Sequence, residues 1–165
     1  MSGRPCLFLD RDGVINRERG EHTWRMEDFE VLPDVPAALR YAQGLGHALV
    51  VITNQSGIGL GLYGHAEVRA LHQRMTAMLA EQGVRLNDVL YCPHHPSVGL
   101  CLCRKPGSLL LERAVARHGI NPMRSIMIGD RERDMQAATA IGIRGVLVEA
   151  NSALLNTVKR ELRPA

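Results

Sequence analysis

Short apolar runs alternate along this chain with longer segments of helical periodicity. Cys6–Leu9, Ala48–Thr53, Val89–Tyr91, Ser125–Ile128 and Gly145–Val148 are almost free of polar residues, as expected of strands buried on both faces. A first helix is predicted from about Pro36, with Asp34 as its N-cap, to Gly44-Leu45-Gly46. A second places Val68, Leu71, Met75, Met78 and Leu79 on one stripe and stops by Gly83. A third runs from about Ser108 to His118, with Gly119 as its C-terminal glycine, and a fourth covers roughly Arg133 to Ile141. A last helix near Leu154–Leu162 reads as surface-bound.

This alternation predicts an α/β fold: a Rossmann-like three-layer sandwich with a central parallel sheet and helices on both faces. No repeat, low-complexity tract or linker interrupts it, so residues 1–165 read as a single domain. The polar stretch Arg17–Leu32, which carries Trp24, reads as part of a flap at about 11–33 rather than as an independent cap.

In open parallel sheets, ligands bind beyond the carboxyl ends of the strands. Polar motifs stand there in this chain: Asp10-Arg11-Asp12-Gly13 after the first strand, Thr53-Asn54-Gln55 after the second, a cysteine cluster after the third and Gly129-Asp130 after the fourth. If the first strand stays extended, Asp10 and Asp12 point the same way, because side chains alternate faces. Two carboxylates at one point repel each other, which calls for a cation or a reaction. A carboxylate can attack phosphorus, so Asp10 is the candidate nucleophile. Asp12 is then placed to protonate the leaving oxygen and later to activate water. Asp130 adds a third carboxylate for Mg²⁺, which prefers oxygen ligands. Thr53 and Lys105 offer a hydroxyl and an ammonium to a phosphate, and the helix starting near Ser108 offers backbone N–H donors.

Cys92-Pro93-His94 and Cys101-Leu102-Cys103, six residues apart, supply three thiols and one imidazole, the set for a closed tetrahedral Zn²⁺ site. This loop, 92–103, leads directly into Arg104 and Lys105. His95 reads as a loop residue, since four ligands are already present. His47, His72 and His118 read as surface polar residues, and Cys6 as a small core residue.

Composition narrows the classes. No apolar stretch approaches membrane-span length and the N-terminus has no signal-peptide pattern, so a cytoplasmic protein with no membrane partner is expected. A net charge of +3 without a basic tract, and only 4% aromatic residues, argue against a nucleic-acid partner. A small phosphorylated molecule suits the charge, and the chain is expected to act as a monomer.

The four stretches Asp10-Arg11-Asp12-Gly13-Val14-Ile15-Asn16, Thr53-Asn54-Gln55-Ser56-Gly57-Ile58, Arg104-Lys105-Pro106 and Gly129-Asp130-Arg131-Glu132-Arg133-Asp134 resemble the haloacid dehalogenase superfamily of phosphatases. The resemblance covers nearly the whole chain. It implies Asp10 as nucleophile, Asp12 as acid/base, and Thr53, Asn54, Arg104 and Lys105 as substrate and phosphate ligands. It implies Mg²⁺ held by Asp10, the backbone carbonyl of Asp12, and Asp130, with Asp134 a supporting partner rather than a ligand. With Cys92, His94, Cys101 and Cys103 as Zn²⁺ ligands, the chain resembles the zinc-bearing branch without a large cap. That branch includes the heptose 1,7-bisphosphate phosphatases and the histidinol-phosphate phosphatases.

The Asn54–Ile58 and His94-His95-Pro96 runs are nearer to the heptose enzymes. Gly107-Ser108-Leu109, after Arg104-Lys105-Pro106, departs from the Pro-Gly-Met expected of them. The implied reaction is removal of the 7-phosphate from D-glycero-D-manno-heptose 1,7-bisphosphate. The alternatives are histidinol phosphate, a polynucleotide 3′-phosphate, which the zinc cluster and the lack of a basic tract disfavour, and a non-enzymatic phosphate-binding scaffold.

Overall fold

A computed structural model describes residues 3–162. Five strands, β1 (Cys6–Leu9), β2 (Ala48–Asn54), β3 (Asp88–Cys92), β4 (Ile126–Gly129) and β5 (Arg144–Leu147), form one sheet in the order β3-β2-β1-β4-β5. Every pairing is parallel, and Phe8 lies opposite Val50 on one side and Met127 on the other. The central strands β1, β2 and β4 are buried on both faces and the edge strands β3 and β5 only in part, with helices covering both sides.

Leu7, Leu9, Leu49, Val51, Ile126 and Ile128 face α1 (Val35–Gly44), α2 (His65–Glu81) and α5 (Leu155–Glu161). Their alternating neighbours Cys6, Phe8, Ala48, Val50, Ile52 and Met127 pack on α3 (Leu109–His118) and α4 (Glu132–Thr139). The period-two division of each strand between two cores is the three-layer sandwich that the alternation predicts. Among the described residues no large cap domain interrupts it; residues 17–32 lie over the sheet's carboxyl edge with one short 3₁₀ turn at Met26–Asp28.

Several local expectations are corrected. Asp34 sits at the N-terminal boundary of α1 but makes no cap there; its carboxylate accepts from Leu155 N at 2.7 Å, capping α5 instead. The last helix is tied into the core through Leu154, Val158 and Leu162 rather than resting on the surface. On α2, Met78 is only half-buried, while His72, expected at the surface, is 6% exposed beneath the sheet edge. The stripe is rotated because the helix packs against the loop after β1 as well as against the sheet.

None of the described helices is long and apolar enough to cross a membrane.

Candidate active site

The carboxyl ends of β1, β2 and β4 surround a cavity of about 300 Å³, lined among others by Asp10, Asp12, Asn54, Gln55, Arg104 and Asp130. The strand does not continue through the two aspartates. β1 stops at Leu9, and Val14, Ile15 and Asn16 all turn their N–H groups back to Arg11 O. The turn still brings both carboxylates to the same cavity. Gly13 makes it possible: its φ is +86°, and a Cβ there would lie 2.6 Å from Asp130 Oδ2. Only glycine takes this conformation cheaply while leaving room for the third carboxylate.

Asp10 is buried. Its Oδ1 accepts from Lys105 Nζ at 2.9 Å and from the Arg11 backbone N–H at 2.8 Å. Both bonds fall on the same oxygen, which orients the other one. Burial pushes the Asp10 carboxyl up to about 7; Lys105 opposes this, and Asp134 and Asp12 add to it by repulsion. Burial also raises Asp130, helped by Asp134 and opposed by Arg131. Carboxylate oxygens of Asp10, Asp130 and Asp134 lie within 4.8 Å of one another. Protein donors alone therefore leave this cluster short of positive charge, and a hard divalent cation held by oxygen fits it.

Lys105 is 1% exposed; its ammonium donates to Asp10 Oδ1 and to Ile52 O at 2.7 Å and forms an ion pair with Asp134 Oδ1 at 2.7 Å. Burial disfavours its charge, but the two carboxylates outweigh that and hold its pKa above the ordinary range. Asp134 is fully buried; its Oδ1 is ion-paired with the lysine and its Oδ2 accepts from Arg131 N. Asp134 thus pairs with the lysine while standing in the three-aspartate cluster. Asn54 clamps the lysine's backbone from both sides: Oδ1 accepts from Lys105 N at 3.1 Å, and Nδ2 donates to Lys105 O at 3.2 Å.

Asp12 is held differently. Oδ1 accepts from Arg11 Nε and Nη2 at 3.2 and 2.8 Å and from Asn16 Nδ2 at 3.0 Å; Oδ2 accepts from Gln55 Nε2 at 3.1 Å. Burial works against ionisation here, but these donors prevail and hold the carboxyl below its usual range. Arg11 is fully buried, and it also reaches Thr23 O at 2.6 Å and His72 Nε2 at 3.1 Å. Burial, with Arg11 beside it, pushes His72 down to about 3, so this imidazole is a neutral acceptor. Arg11, Gln55 and His72 were not among the residues expected at the site. The signal for Arg11 was its place between two functional aspartates; nothing in the local pattern distinguished His72.

Two phosphate-ligand expectations need restating. Thr53 is buried behind the cavity wall, and its Oγ1 accepts from Gln55 Nε2 at 3.0 Å. The N-terminus of α3 is not at the cavity: Leu109 N donates to Leu102 O, in the metal loop. The tight turn at Gly107 closes that segment on the loop before the helix can face the carboxylates. Arg104, Arg131 and Arg133 line the cavity.

Beside it stands the thiol cluster. Cys92 Sγ lies 3.0 Å from Cys103 Sγ and 3.7 Å from Cys101 Sγ, and Cys101 lies 3.8 Å from Cys103. His94 Nδ1 is 3.4 Å from Cys92 Sγ and 3.2 Å from Cys103 Sγ. A tetrahedron with Zn–S bonds of about 2.3 Å has S···S edges of about 3.8 Å, which the two edges at Cys101 match, while the Cys92–Cys103 edge would have to open to admit Zn²⁺. His95 turns away to Ser97. Arg104 N donates to Cys101 Sγ at 3.4 Å, which links the metal loop directly to the segment carrying Lys105.

A buried, lysine-paired aspartate, a second carboxylate two residues on, and a third from the neighbouring strand end define a phosphatase of the haloacid dehalogenase (HAD) class. Residues 102–164 match the HAD-hydrolase-like family. The D-glycero-beta-D-manno-heptose-1,7-bisphosphate 7-phosphatase of Photorhabdus laumondii subsp. laumondii is 38% identical over 161 residues, spanning 94% of this chain and 85% of that protein. The enzyme of the same name from Escherichia coli (strain K12) is 40% identical over 145 residues, 84% of this chain and 75% of that protein. Among solved structures, the D,D-heptose 1,7-bisphosphate phosphatase from B. bronchiseptica, complexed with magnesium and phosphate, superposes with a TM-score of 0.82 at 28% identity. The match covers 98% of this chain and 88% of that one. The chain belongs to the family of HAD phosphatases that contains these heptose bisphosphate 7-phosphatases.

Proposed function

We propose that this protein removes the 7-phosphate of D-glycero-D-manno-heptose 1,7-bisphosphate through an aspartyl-phosphate intermediate. The observation that carries the mechanism is the unequal treatment of two neighbouring carboxylates. Asp10 has one oxygen tied to Lys105 and Arg11 and sits among repelling carboxylates; Asp12 is anchored by three side chains at the opposite side of the cavity. The substrate is proposed from the family and from the basic wall of the cavity, Arg104, Arg131 and Arg133, which suits a molecule carrying more than one phosphate.

In this reading the Asp10 oxygen not bound to Lys105 attacks phosphorus and the bond to the sugar oxygen breaks. Asp12, which takes up a proton from solvent as the substrate's phosphate enters beside it, delivers that proton to the sugar oxygen. Water then attacks the phosphoryl-aspartate, Asp12 accepts its proton, and the Asp10–phosphorus bond breaks to release phosphate. Lys105 holds Asp10 in position and offsets its charge, with Asp134 and the Asn54 clamp holding Lys105. Thr53 keeps Gln55 in place behind the phosphate site. Asp10, Asp130 and the backbone carbonyl of Asp12 would hold Mg²⁺, which supplies electrostatic stabilisation of the transferring phosphoryl group.

Cys92, His94, Cys101 and Cys103 would hold Zn²⁺ and fix the loop that delivers Arg104 and Lys105. The thiols must be reduced for that role, which suits a cytoplasmic location. The proposed residues all come from one chain, consistent with action as a monomer on a small molecule, without nucleic acid.

The test is phosphate release with Mg²⁺ from heptose 1,7-bisphosphate and from histidinol phosphate. A preference of at least a hundredfold for the heptose, about 2.7 kcal/mol of transition-state discrimination, is expected. The reverse preference would assign the enzyme to histidinol phosphate. Asp10→Asn is expected to abolish turnover with the fold intact; substantial activity in that variant would refute the covalent mechanism.

A further inference from the structure

Both oxygens of Asp12 are held by donors that are themselves held by the flap. Oδ1 is bound by Arg11, whose Nη2 also donates to Thr23 O at 2.6 Å. Oδ2 is bound by Gln55 Nε2, and Gln55 Oε1 in turn accepts from Tyr63 Oη at 3.0 Å. The Tyr63 ring carries the flap: Trp24 stacks on it at 5.6 Å with an interplanar angle of 16°, and His22 meets it edge-on at 6.0 Å.

Tyr63 is buried in the connection between β2 and α2 and does not line the cavity. The backbone makes specific room for it: a Cβ on Gly57 would lie 2.1 Å from its ring. We propose that Tyr63 is a positioning residue for Asp12, setting through Gln55 the carboxylate oxygen that handles the proton and tying that setting to the flap.

An amide has a donor end and an acceptor end. The tyrosine hydroxyl donates to Oε1, so the amide nitrogen is left to face Asp12 and Thr53. Without the hydroxyl Oε1 loses its donor and the amide is held at its nitrogen end alone. It is then free to tilt, and Asp12 Oδ2 loses the fixed partner that aims it at the leaving oxygen. The ring contacts and the hydroxyl are separable, so the two halves of the proposal can be tested apart.

The inference rests on the acid/base role proposed for Asp12. Tyr63→Phe keeps the ring, the Trp24 stack and the packing on Gly57, and removes only the hydroxyl. Trp24 is the sole tryptophan of the chain, so its emission reports whether the flap is in place. On a sugar phosphate, whose alkoxide leaving group needs a proton, kcat is expected to fall about tenfold with KM within about twofold, the lower end for a charge-assisted hydrogen bond. On p-nitrophenyl phosphate, whose phenolate leaves without a proton, the loss should be about threefold or less. Emission should match the wild type.

Gln55→Leu should show the same pattern, and Gln55→Leu with Tyr63→Phe should lose no more than Gln55→Leu alone, as expected for one line of action. Tyr63→Leu, which removes the stack, should change the emission as well. Wild-type kcat in Tyr63→Phe, equal losses on the two substrates, or an additive double variant would each overturn the proposal. Full turnover in Asp12→Asn would instead refute the acid/base reading itself, and Tyr63 would lose its object with it.

Discussion

Replacing Lys105 by methionine tests the construction of the site more sharply than replacing any residue that touches substrate. The lysine side chain is 1% exposed and bridges Asp10 and Asp134, whose side chains are 9% and 0% exposed. Methionine has nearly the same length and leaves little cavity, so the perturbation is electrostatic. It strands two buried carboxylates and removes the donor to Ile52 O. Breaking a buried pair by removing one partner costs about 3–5 kcal/mol. For a chain of this size each kcal/mol lowers Tm by about 2–4 °C, so a fall of roughly 6–20 °C is expected.

The assay is urea denaturation near neutral pH without added Mg²⁺, supported by thermal melts. Lys105→Met with Asp134→Asn removes one of the stranded charges and should recover about half of the loss, whereas two surface variants would add. A loss below about 1 kcal/mol, the range of an exposed ion pair, would refute the placement of the lysine between two desolvated carboxylates.

Other outcomes follow from the same geometry. The Asp10 carboxyl sits at about 7 in the folded chain, above its unfolded value of 3.8, so its contribution to stability is present below the unfolded value and is lost as pH rises towards and through 7. Metal-free enzyme should therefore be more stable at pH 5 than at pH 8, and added Mg²⁺ should raise Tm most at pH 8; a flat Mg²⁺ response across that range would contradict the crowded-carboxylate picture. Cys103→Ser should lower the bound zinc measured by elemental analysis from one equivalent and reduce kcat at least tenfold through the Arg104–Lys105 segment, because loss of a ligand opens the loop; full activity without zinc would separate the two sites. Asp34→Ala should destabilise by about 1 kcal/mol through loss of the α5 cap, measured by denaturant midpoint, with unchanged kcat.

Much of this molecule follows from sequence alone. Apolar runs too short for helices and too unbroken for a half-wet sheet require strands covered on both faces, and helical segments between them make those strands parallel. Polar motifs at the strand ends then converge because the chain runs the same way through every strand. For the same reason Asp10, Asp12, Lys105, Asp130 and the four candidate metal ligands are legible: each occupies a short stretch whose spacing carries its chemistry.

What the sequence could not determine depends on distant parts of the chain meeting. Asp34 reads as a cap for the helix that follows it, yet it caps a helix 121 residues away, because α5 docks beside α1. His72 looks like a polar residue on a helix surface until the loop after β1 buries Arg11 against it. Tyr63 stands in no motif, and only folding stacks the flap's Trp24 on it and brings its hydroxyl to Gln55. Periodicity reports which face of an element is buried. Which charged groups then share that burial, and so which carboxylate is anchored and which is poised to react, is decided by tertiary packing, because desolvation and hydrogen-bond partners are properties of a place in the fold and not of a residue type.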